Sequence, residues 1–189
     1  MHFARVTSVL FAFLTFGLFA AANPVRVLSK RDASCLGAIN TLNSTVAGVA
    51  ARFLPITVNT PDNKEFSIGL IGEIVEAIEL ASFVSNAIPP TSDQTGSTDN
   101  PIADALGEVI GGIVTVFKAM VELIPDLKDN IADADTEMTE LVNILDLLIS
   151  DFTNILSVFV SQLANLFEVA GLTELAKLFG FVAAETSQQ

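Results

Sequence analysis

The sequence predicts an all-α fold: an antiparallel bundle of about five helices preceded by a signal peptide. Apolar residues recur at spacings of three and four through most of the chain. No alternating run is long enough to make a strand. Proline and Ser/Thr/Asp-rich turns separate the periodic stretches.

Met1–Ala22 has the layout of a secretory signal. Arg5 supplies a positive start, Val9–Leu18 an apolar run and Ala20-Ala21-Ala22 small residues for cleavage. The run is too short to span a bilayer. Residues 23–31 are polar and basic and end in Lys30-Arg31, a dibasic processing site of the prohormone type. Residues 32–189 then form one helical domain. Cleavage after Arg31 removes four basic residues and no acidic one, and takes the net charge from −13 to −17. The sole histidine is lost with that piece.

A first amphipathic helix runs from Ser34 to about Phe53, with Leu36, Ile39, Leu42, Val46 and Val49 at helical spacing and Pro55 as its stop. Cys35 lies on the same side and has two readings, a small core residue or an intermolecular disulfide. Asn43-Ser44-Thr45 is a candidate N-glycosylation sequon at the edge of the apolar face. Residues 56–65 read as a turn-rich connection, followed by a second helix from Phe66 to Ile88. Ile71, Ile74, Val75 and Ile78 share one side of it, and Glu73, Glu76 and Glu79 form a solvated acidic face on the other.

Residues 89–101 (PPTSDQTGSTDNP) hold no Leu, Ile, Val or Phe and read as a flexible loop. A third helix follows from Ile102 to Ile124, opened by Asn100-Pro101 and stopped by Pro125. Its Gly107 and Gly111 have the spacing that lets helices approach closely. Asp104, Glu108 and Lys118 argue against a membrane span, so close packing in a bundle is expected.

The acidic stretch 126–139 resembles a calcium loop only in Asp133-x-Asp135-x-Glu137, and lacks the central glycine and the closing glutamate. It is expected to form exposed first turns of a long helix, where carboxylates suit the helix dipole. That fourth helix runs unbroken from Met138 to Ala170, with a thin polar stripe from Thr139 to Glu168. Gly171 is its C-cap, and Thr173 caps a last short helix from Glu174 to Ala184.

Catalytic chemistry is hard to build from these residues. The mature chain lacks histidine and shows no nucleophile elbow, P-loop or dinucleotide fingerprint. The carboxylates lie on polar stripes, and there is neither Trp nor Tyr to form a sugar platform. No enzyme activity, cofactor or metal is expected. The acidic balance also excludes nucleic acid and anionic lipid heads as partners. No transmembrane segment is expected in the mature protein.

A signal peptide, the Lys30-Arg31 site, a polar first half, an apolar second half and a single cysteine give the chain a layout that resembles small secreted mushroom proteins of hyphal attachment. It is similar in style to the helical hydrophobic-surface-binding proteins of moulds. The resemblance covers the layout and transfers no functional residue. It implies a secreted protein of the fungal exterior or cell wall that works through apolar surface. Leu148, Phe152, Ile155, Phe159, Leu163, Phe167 and Phe179 are the candidates for that surface. The partner is then a hydrophobic solid, the cell wall or a second copy. Two alternatives are a helical carrier of a lipid or other apolar ligand, and a secreted effector binding a host protein.

Overall fold

The computed structural model describes residues 30–88 and 100–181. The expected signal peptide, residues 23–29, most of the loop and residues 182–189, which include the end of the expected last helix, lie outside them. Among the described residues the chain is all-helical, with no strand. Helix α1 is Lys30–Phe53, α2 is Pro61–Asn86 and α3 is Pro101–Leu123. A 3-10 turn at Pro125–Leu127 leads into α4, Lys128–Leu148. Then come α5, Phe152–Val160, a 3-10 turn at Ser161–Leu163, α6, Ala164–Ala170, and α7, Thr173–Leu178.

Local chemistry sets most of these boundaries. The Asn100 side chain accepts from Ile102 N at 3.0 Å and Pro101 occupies the first turn of α3, so both act as the spacing predicts. The start of α2 differs from expectation. Thr60 accepts from Asn63 N at 3.2 Å, and Pro61 and Asp62 begin the helix five residues before Phe66. Residues that read as a turn are a Thr-Pro-Asp helix start. Gly171, at φ 85°, ends α6: its N–H donates to Glu168 O and that of Leu172 to Phe167 O.

The unbroken helix from Met138 to Ala170 is not what forms. The chain breaks at Ile149–Asp151 and loosens again at Ser161–Leu163. Asp151 takes the left-handed conformation, φ 63° and ψ 23°, and its carboxylate accepts from the Asn154 amide. The acidic stretch belongs to α4, which starts at Lys128 rather than near Met138.

Helix α3 is the centre of the molecule, with Phe117, Leu106, Ile110 and Ile113 among its buried residues. The packing order closes on itself: α1 lies on α2, α2 on α4, α4 on α5 and α7, α5 and α6 on α3, and α3 on α1. Gly107 permits the close approach of α3 and α5. A Cβ placed there lies 3.2 Å from Phe159 Cβ, tighter than ordinary contact. The α6–α7 end is closed by three rings, with Phe167 6.0 Å from Phe179 and 5.5 Å from Phe181.

Candidate functional site

The break after α4 changes where the apolar residues go. Phe152 and Phe167 are fully buried, and Leu148, Ile155 and Phe179 are buried as well. Leu163 is half-buried, and only Phe159, at 36% exposure, reaches the surface. Five of the seven surface candidates are therefore core residues. The physical reason is the kink: it folds α5 and α6 back onto α3 and lays α7 on α4, so one wide apolar face becomes two narrower ones, each with its own cover.

Two other candidate residues have definite places in the fold. Cys35 is buried and its Sγ donates to Ser85 Oγ at 3.8 Å, the placement of a small core residue. Asn43 is half-buried in the middle of α1. Its neighbours Ser44 and Thr45 donate to Asn40 O and Thr41 O one turn back. Lys30 and Arg31 open α1. Among the described residues, no three His, Cys, Asp or Glu side chains gather as a metal site.

What remains outside is a particular stretch. Phe152–Ala170 is long and apolar enough to cross a membrane by length and composition, yet only 28% of it is buried in this fold. Such a stretch is also what a core helix of a soluble protein looks like, and this one sits at the edge of the core. Glu168 is its single charged residue. Its outer side shows Val158 at 72% and Val169 at 42% exposure, about three turns apart, among Asn154, Ser161, Gln162 and Asn165.

Two carboxylates of α4 hold this half in place, and sequence reasoning missed both. Asp146 Oδ1 accepts from Thr153 N at 2.8 Å, in the first turn of α5. Asp135 Oδ2 accepts from Glu174 N at 2.7 Å and Oδ1 from Leu175 N at 3.0 Å, in the first turn of α7. The residues preceding α5 and α7, Asp151 and Leu172, make no side-chain cap. Asp135 and Asp146 lie about three turns apart on one side of α4, so one helix caps two others. Thr173, expected as a cap, is instead the first residue of α7, its hydroxyl 3.5 Å from Asp135 Oδ2. The spacing offers no local signal for contacts forty residues apart.

Burial pushes the Asp135 carboxyl up from its ordinary value, against the backbone N–H groups that favour its charged form. Burial also raises Glu108, next to Asp104, and Glu137, which faces Glu140, Glu79 and Asp133. Glu73 moves the other way because the Arg52 guanidinium hydrogen-bonds it. An acid raised in the folded state contributes stability below its ordinary pKa that is lost as pH rises through the folded value. Three raised groups in an acidic chain therefore predict a higher melting temperature near pH 5 than near pH 8, with the Glu73–Arg52 pair lost only at lower pH. Thermal melts across that range check this, and a melting temperature that falls steadily from pH 8 to pH 5 contradicts it.

No protein-family model matches the chain, and no curated protein matches its sequence.

Proposed function

We propose that this protein is exported, acts outside the cell without catalysis, and adsorbs at apolar surfaces, including those of the cell wall, through the outer side of α5 and α6. In this reading a signal peptide and the Lys30-Arg31 piece are removed and the long helices run as an antiparallel bundle. One observation carries it: the most membrane-like helical stretch among the described residues is mostly unburied and holds one charge in a chain of net charge −13. Adsorption requires the contacting face to dry. Drying an ionised carboxylate costs several kcal/mol, whereas drying Val158 and Val169 is favourable at ~25 cal/mol per Å².

The experiment is depletion of the purified protein over fluoropolymer or wax particles, beside an inert protein of equal acidity. The wild type is expected to leave solution and to resist rinsing. The doubly substituted Val158→Asp/Val169→Asp protein, altered only at exposed positions, is expected to remain in solution with its helix content intact. Wild-type protein that stays in solution as fully as the control overturns the proposal.

A further inference from the structure

Helix α7 has two opposed sides. Leu172, Leu175, Ala176 and Phe179 are buried, whereas Thr173, Glu174 and Lys177 are exposed. The helix packs on α4 and α6. Two glycines in the left-handed region bound it, Gly171 at φ 85° and Gly180 at φ 72°. Glycine turns the chain in that region without steric cost, whether or not the helix between them is docked. The helix has six residues, and isolated helices shorter than about 12–15 residues are marginal in water. It therefore stays helical only against something apolar.

Its hold on the core is a balance of opposed effects. Docking buries Leu175 and Phe179 and sets Phe179 and Phe181 against the Phe167 ring. Docking also shuts the Asp135 carboxylate away at 2% exposure. Taking a carboxylate out of water costs several kcal/mol. The N–H groups of Glu174 and Leu175 favour its charge, but burial outweighs them. Release of α7 returns that carboxylate to water and frees the side of Leu172, Leu175 and Phe179. An element held by such a balance opens before the rest of the fold.

We propose that α7 is a releasable anchor: packed on α4 and α6 in solution, it swings out about Gly171 at an apolar surface and lays Leu172, Leu175 and Phe179 on it. The proposal rests on the adsorption reading and gives it a second step. Val158 and Val169 make first contact. The anchor then exchanges the core for the surface, lying as an amphipathic helix lies in an interface. Burial is exchanged for burial, and Asp135 regains its water. Glu174 and Lys177, paired at 2.9 Å on the opposite side of α7, stay wet throughout.

Hydrogen exchange of the full chain in solution reads the opening, and rinsing from wax particles reads the anchoring. Residues 171–181 are expected to exchange at least about a hundredfold faster than residues 106–117 of α3, at a rate that low denaturant leaves unchanged. Asp135→Ala removes the acceptor of both N–H groups and is expected to speed exchange of 171–181 on the order of tenfold. The fraction of this variant that resists rinsing after a brief contact should rise severalfold over wild type. Val46→Ala, which loosens the core at α1, should leave both readings at the wild-type level. Exchange of 171–181 as slow as that of α3 overturns the anchor. So does an Asp135→Ala protein that opens faster yet resists rinsing no better, or a Val46→Ala protein that resists it equally well. In those cases wild-type adsorption through α5 and α6 still stands. A wild type that never leaves solution instead overturns the adsorption reading and the anchor with it, so the two failures are told apart.

Discussion

Phe152→Ala is expected to lower folding stability by about 3–5 kcal/mol, the cost of emptying a fully buried phenylalanine site. Phe152 opens α5 immediately after the break and is fully buried in the core. Phe167→Ala, at the centre of the three-ring cluster, belongs in the same range. Val158→Ala, one turn and a half further along α5 and largely exposed, is expected to change stability by no more than about 0.5 kcal/mol. Denaturant midpoints separate these outcomes. A neutral Phe152→Ala would mean that α5 and α6 are not folded back on α3.

The second large effect belongs to Asp135. Asp135→Ala leaves Glu174 N and Leu175 N without their acceptor in a buried place and is expected to cost about 2 kcal/mol. Asp135→Asn keeps one carbonyl oxygen and should cost less. The loss should also be local: α7 releases first, taking the Phe179 and Phe181 rings off Phe167. Limited proteolysis reads this as faster cleavage after Ala170 in the alanine variant, with α1–α3 unchanged. Equal stability of the alanine variant and wild type would contradict the capping role.

Much of the fold was legible because its punctuation is chemical. Asn100-Pro101, Pro55, Pro125 and Gly171 carry their boundary signals in the residue type itself. The break at Ile149–Asp151 carries none. Ile149, Ser150 and Asp151 fit the helical period, contain neither Pro nor Gly, and continue the apolar and polar stripes. An aspartate in the left-handed conformation is uncommon, and here the Asn154 amide supports it. Reading through that break made the apolar face look wider than its neighbours could shelter. The same error turned Leu148, Phe152, Ile155 and Phe167 into surface candidates. The caps from Asp135 and Asp146 were invisible for a different reason: each depends on two helices meeting in space, and periodicity reports only one helix at a time.

The shelter is nearly complete on α3 and incomplete on the outer side of α5 and α6, and that difference is where the functional proposal stands. Phe159 bridges the two: its Cβ packs against Gly107 while part of its ring stays exposed. A face of Val158, Phe159 and Val169 with amides and hydroxyls around it can lose its water without burying a charge, apart from Glu168 at its end.

Hydroxyl-radical labelling of the protein free in solution and adsorbed on wax tests that claim most directly, because it reads side-chain exposure residue by residue. The account predicts that Val158, Phe159 and Val169 are labelled in solution and protected on wax, while Phe117 is unlabelled in both states. Labelling of Val158, Phe159 and Val169 that is as strong on wax as in solution would contradict it.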